Sequence, residues 1–148
     1  MLRHVDPAIS AELLYVLMLM GHGDDLVLCD VNHPAVTIAK QTTYGKLIDL
    51  PGCDIPRATQ AVLSLMPLDT FVDQPVIRMR VVGDPDGTVP IFARMQATVD
   101  ACERRTISIG AYDRFEFYDA AKKSFAIVRT SDPGPYGCFI LRKGVIAL

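Results

Sequence analysis

The stretch GHGDDLVLCDVNHPA, Gly21 to Ala35, holds a continuous apolar run, LVLC, between flanks rich in aspartate and histidine. A short apolar run without alternation, bounded by turn signals, is the pattern of a buried strand. We read Leu26–Val31 as that strand, ending near Asp30, with Pro34 preventing simple continuation. Upstream, Ser10 can cap a helix over Ala11–Met20, because Leu13, Leu14, Val16, Leu17 and Met20 recur at helical spacing until Gly21 stops it.

The same reading extends down the chain. From His33 to Gly52 the pattern is weak, with turn signals at Tyr44-Gly45 and Pro51-Gly52 and a short strand at Lys46–Leu50. Asp54 and Pro56 open a second helix, with Ala58, Ala61, Val62 and Leu65 on one face, stopping near Pro67. PVIRMRVV, from Pro75, reads as a strand with Arg78 and Arg80 on one face, and Val89–Glu103 reads as a third helix after the loop GDPDGTVP. TISIG is a short strand. Asp113 and Glu116 have capping-box spacing, so DRFEFYDAAKK begins a helix with Arg114 in its first turn. SFAIVRT and CFILRKGV are two strands around SDPGPYG, close enough to form a hairpin. The alternation predicts one α/β domain over 1–148, with helices packed on a mixed β-sheet.

Half of the 148 residues are hydrophobic and the mean hydropathy is +0.25, so some apolar surface calls for a partner subunit. A net charge of -2 without like-charge runs argues against nucleic acid and membrane surfaces as partners. The longest apolar stretch is too short for a membrane span, and the first residues lack signal-peptide order, which predicts a cytoplasmic protein. Cys29, Cys53, Cys102 and Cys138 are scattered without a C-x-x-C pair, as expected of reduced thiols.

Two groups suit acid–base chemistry. His22 lies between glycines, which leaves its ring free for a ligand, and an imidazole of ordinary pKa ~6.5 can give or take a proton near neutrality. Asp30 can orient a hydroxyl. The plainer reading of His22 is a loop residue meeting the open carbonyls at the end of the first helix. If residues 22–30 were extended, His22 and Asp30 would lie roughly 26 Å apart at ~3.3 Å per residue. Either the glycine loop folds back, or one site draws on two subunits. His22, Asp30, His33 and Cys29 match no recognised metal spacing, and Cys29 reads as a buried, inert thiol. No phosphate-binding, dinucleotide or serine-nucleophile motif occurs. Arg114 opposes the dipole of its own helix, so a polar ligand or a carboxylate partner would account for it. Tyr136, in the last turn, can stack on a sugar face or fill a gap beneath the loop. Phe117 and Tyr118 read as core or interface.

Three segments together, ELLYVLMLMGHGDDLVLCDVNHPA, RFEFYDAAKKSFAIV and YGCFILRKGV, resemble the family of L-fucose mutarotases and D-ribose pyranases, with the fucose branch nearer. The resemblance implies a cofactor-free α/β enzyme assembled into a ring such as a decamer, with sites at subunit contacts. It implies that His22 is the proton donor and that Asp30 and Arg114 bind substrate. Tyr136, Gly137 and Cys138 fall on the family's Tyr-Gly-Asn segment. Cys138 departs from that pattern, because a thiol cannot replace both the donor and the acceptor of an amide; Asn32-His33 departs as well. The implied activity is interconversion of the anomers of a free sugar, most simply L-fucose, by ring opening and reclosure. A pyranase acting on ring forms and a sugar-binding protein without turnover are the alternatives.

Overall fold

A computed structural model of the chain describes residues 2–146. The elements run α1 (Ala11–Leu19), β1 (Asp25–Cys29), α2 (Ala35–Ala39), β2 (Leu47–Leu50), α3 (Ile55–Leu63), β3 (Val76–Met79), α4 (Pro90–Glu103), β4 (Ile109–Tyr112), α5 (Arg114–Lys122), β5 (Ala126–Thr130) and β6 (Phe139–Arg142). The strands form one mixed sheet in the order β2-β5-β1-β6-β3-β4. β2, β5 and β1 are parallel, β3 and β4 are parallel, and β6 runs antiparallel between β1 and β3.

β1 behaves as its apolar run demands. Side chains alternate across a strand, so Leu26 and Leu28 enter one core with residues of α1, α3 and α4, whereas Val27 and Cys29 enter a second with residues of α2 and α5. The result is three layers, and Leu26 through Cys29 are fully buried.

The local signals hold where they rest on caps. Ser10 Oγ accepts from the Leu13 N–H at 3.1 Å, Asp54 Oδ1 from the Arg57 N–H at 2.9 Å, and Glu116 Oε2 from the Asp113 N–H at 3.3 Å. Each meets a donor that the first helical turn leaves unpaired. At the end of α1 it is Lys143 Nζ, not His22, that donates to the carbonyls of Leu17 and Met20. A cation suits that negative helix end.

Three expectations are corrected. β5 and β6 do not form a hairpin, because β1 lies between them, pairing Leu26 with Ala126 on one side and with Leu141 on the other. The connection from β5 instead crosses the end of β1, held by a bond from the Val31 N–H to the Asp132 carbonyl at 3.1 Å and one from Thr130 Oγ1 to the Cys29 carbonyl at 3.0 Å. Residues 35–39, unassigned from the sequence, form α2; Ala35, Ile38 and Ala39 are buried in the same core as Phe117 and Ala121 of α5. Finally, the TISIG strand is displaced toward Tyr112, because the Ile107 N–H is taken by Asp100 at 2.8 Å before the ladder begins.

Candidate functional site

At the C-terminal end of β1 the chain turns into α2, and Asp30 organises the turn. Its Oδ1 accepts from the N–H groups of Asn32 (2.8 Å) and His33 (3.1 Å), and its Oδ2 accepts from Gly137 (2.9 Å) in the loop before β6. Hydrogen bonds to a charged acceptor contribute roughly 1.5–3 kcal/mol each, so one carboxylate ties together two loops that are distant in sequence. Residue 137 must be small, because a Cβ there would lie 3.2 Å from Asp30 Cβ and 3.2 Å from Ile55 Cγ1.

Around Asp30 lies a cleft of about 280 Å³, lined also by Asn32, His33, Arg114, Tyr118, Tyr136 and Cys138. That volume is near the lower limit of ligand pockets, ~300–1,000 Å³, and suits one sugar ring better than a nucleotide. Arg114 starts α5 with its guanidinium 4.5 Å from the Phe115 ring centre, and among the described residues it joins no ion pair. Its charge is open to a ligand, as the helix-dipole argument anticipates. Tyr136 takes a left-handed backbone conformation, φ 61°, and its phenol oxygen accepts from the Val82 N–H at 3.1 Å. A tyrosine held there at a cost of order 1–3 kcal/mol marks a position whose geometry is imposed by its surroundings.

Cys138 Sγ lies 3.6 Å from Asp30 Oδ2 and 3.3 Å from His33 Nδ1. Burial pushes its thiol well above the ordinary range, with the Asp30 charge adding to the effect. Burial likewise depresses the His33 imidazole from 6.5 to about 4, so it is neutral at physiological pH. Cys29 is fully buried, and burial first and the Asp30 charge second raise its thiol far above normal, in keeping with an inert core residue. All four cysteines are free.

The structure places His22 elsewhere. It precedes β1 while Asp30 follows it, so the two stand beyond opposite ends of the strand, and the glycine loop does not fold back to join them. Gly23, at φ +83°, turns the loop toward Lys143, whose carbonyl accepts from the Gly23 N–H at 2.8 Å. His22 Nε2 then meets Asp69 Oδ1 at 3.1 Å, with the Phe71 ring edge-on at 5.3 Å. Asp69 is buried, and bonds from the Phe71 N–H first and from His22 hold its carboxyl below the usual range. Because a carboxylate only accepts, Nε2 is the ring nitrogen that donates in this contact. The ring itself remains 44% exposed.

One protomer therefore brings together Asp30, Arg114, Tyr136, Gly137 and Cys138 from the sequence-predicted set and leaves His22 apart. The sequence reading missed Tyr118, His33 and Asp69. Tyr118 had a usable signal, since it lies four residues after Arg114, the spacing that puts two side chains on one helix face. It lines the cleft while packing against the core of α2 and α5 as expected, and Phe117 is fully buried. A larger cleft of about 720 Å³ opens near the start of β1, but its Arg142 and Asp25 are already joined by two bonds of 2.9 Å, so those two charges satisfy one another.

A three-layer α/β/α domain with a sugar-sized cleft, a fixed carboxylate and an open arginine defines the class: a small single-domain α/β protein with a polar pocket at the end of its central strand. More specifically, residues 3–146 match the RbsD / FucU transport protein family, and the chain belongs to it. It is 42% identical over 153 residues to the human fucose mutarotase, covering 99% of this chain and 96% of that protein. It is similar to the crystal structure of fucose mutarotase from Streptococcus pneumoniae in complex with L-fucose, with TM-score 0.88, 37% identity and coverage of 99% and 100%. FucU from Bifidobacterium longum superposes with TM-score 0.90 at 33% identity, covering 98% of this chain and 100% of that one. The single layered domain on a mixed sheet is thus shared with these structures.

Proposed function

We infer that this chain is a mutarotase that interconverts the anomers of free L-fucose. The observation that carries the reading is the Asp30 cleft, found in a chain whose whole length matches fucose mutarotases. Anomer exchange needs a proton delivered to the ring oxygen and another removed from the anomeric hydroxyl, after which the ring recloses on the other carbonyl face. No electron transfer or covalent intermediate enters, so the reaction needs no cofactor. In this reading Asp30 accepts from sugar hydroxyls, Arg114 donates to them, and Tyr118 and Tyr136 bound the ring. Gly137 and Cys138 hold Asp30 in place, through the Gly137 N–H at 2.9 Å and the thiol at 3.6 Å.

The proton shuttle is His22 of a neighbouring protomer. Exposed apolar side chains support this: Met18, Leu19 and Phe71 lie near His22, and Val31, Val82 and Phe115 lie near the cleft. Docking the first end on the second unites a base with a substrate pocket and covers both apolar rims. Because the two surfaces differ, the contact is heterologous, the kind that closes into a ring when its rotation allows; the ring, and a decamer in particular, is what the family resemblance implies. Four free thiols, three of them buried, suit a reducing cytoplasm.

Saturation transfer between the anomeric protons of L-fucose tests this directly. Wild type accelerates exchange, and His22→Ala removes the roughly 10²–10⁴-fold that a positioned acid–base group supplies, without altering the assembled mass. Acceleration with D-ribose and none with L-fucose would select the pyranase; tight binding without faster exchange would select a sugar-binding protein.

A further inference from the structure

His33 occupies the cleft wall in a way the mechanism above does not use. Its Nδ1 is 3.3 Å from Cys138 Sγ, and that sulfur is 3.6 Å from Asp30 Oδ2. The ionised carboxylate is the stronger acceptor for the thiol proton, so Sγ–H donates to Asp30 and the sulfur lone pairs accept from Nδ1–H. In a neutral imidazole one nitrogen carries the proton and the other is an acceptor, which leaves Nε2 as a bare lone pair. Nε2 is buried and has no hydrogen-bond partner among the described residues. Phe117 and Tyr118 present their rings to the imidazole at 5.9 and 5.3 Å, and neither contact is a hydrogen bond. His33 is 7% exposed and yet lines the same cleft as Asp30 and Arg114. A buried acceptor left unmet calls for an explanation, and a ligand hydroxyl in the cleft supplies one.

We propose that His33 is a specificity-determining residue: its Nε2 accepts a hydrogen bond from one hydroxyl of the bound monosaccharide, and Cys138 fixes the tautomer that makes this possible. The identity of the sugar rests on the mutarotase reading; the acceptor role does not. A pocket built to accept from a hydroxyl discriminates against the analogue that lacks it, because the buried nitrogen is then left unpaired.

The test measures, by calorimetry on the full chain, the Kd of L-fucose and of analogues each lacking one ring hydroxyl, for wild type, His33→Phe and His33→Gln. Wild type binds one analogue roughly 10- to 100-fold more weakly than L-fucose. His33→Phe loses that discrimination for the same analogue alone, and His33→Gln, whose side-chain oxygen can accept, recovers part of it. Independently of any variant, nitrogen NMR of the histidines in wild type shows His33 Nε2 unprotonated and moving when L-fucose is added. Identical analogue ratios in wild type and His33→Phe, or an Nε2 signal that ignores the sugar, overturn the proposal while leaving anomer exchange untouched. Wild type that binds L-fucose with the predicted discrimination but does not accelerate exchange upholds the His33 contact and removes the enzymatic reading. Wild type that binds D-ribose and not L-fucose removes only the identity of the sugar, and the same discrimination and Nε2 shift are then read with D-ribose and its deoxy analogues; wild type that binds neither sugar overturns both.

Discussion

Acidification should weaken this fold through one side chain more than any other. Burial takes His33 from its ordinary 6.5 to about 4. In the unfolded chain the ring protonates as pH drops through 6.5, whereas in the folded protein it resists until about 4, so the unfolded state binds more protons throughout that window. The stability contributed by keeping the ring neutral is fully present above 6.5, declines as pH falls, and levels off below about 4. At about 1.36 kcal/mol per pKa unit the whole decline is about 3 kcal/mol, a large share of the ~5–15 kcal/mol that holds an ordinary domain together. Urea denaturation from pH 7 to 4, at one fixed protomer concentration, would reveal it as a difference between wild type and His33→Phe. Asp6 and Asp69, which hydrogen bonds hold below the usual carboxylate range, also weaken the protein at acid pH, but below the window where His33 acts and equally in both proteins. Parallel pH profiles for wild type and His33→Phe between 6.5 and 4 would refute the reasoning.

Other perturbations follow from single contacts. Asp69→Asn removes the anion that orients His22 at 3.1 Å, and should lower the exchange rate about tenfold or more while L-fucose affinity, measured by calorimetry, stays nearly constant. Gly137→Ala forces a methyl group against Asp30 and Ile55, and should cost about 1–3 kcal/mol in denaturation experiments together with a clear loss of sugar affinity. Iodoacetamide on the folded protein should modify Cys102, which is half-buried, well before Cys29 and Cys138, as mass spectrometry of the digests would show; equal labelling would contradict the burial of those two thiols.

What the sequence made legible follows from how local each signal is. Ser10, Asp54 and Glu116 announce helix starts because their bonds close within three residues. β1 was readable because four consecutive apolar side chains leave no exposed face. α2 was not, since five residues including a valine and a threonine are too few for helical periodicity, and the helix depends on packing against α5. The expected hairpin failed for a related reason: β6 pairs with β1, more than 100 residues away, and with β3, and nothing in the turn between β5 and β6 specifies that choice. In the site, the dipole argument isolated Arg114 from its own helix. The significance of His33 was hidden because it depends on Cys138, 105 residues later.

The sheet consists of two parallel blocks, β2-β5-β1 and β3-β4, which are hydrogen-bonded into one sheet through β6. Since β6 comes after every other strand in chain order, the two blocks stay unwelded until the last strand is available. Each block meanwhile presents an open edge beside the vacancy β6 will fill, so the nascent protein is most prone to mispairing with its neighbours just before that final strand is laid in.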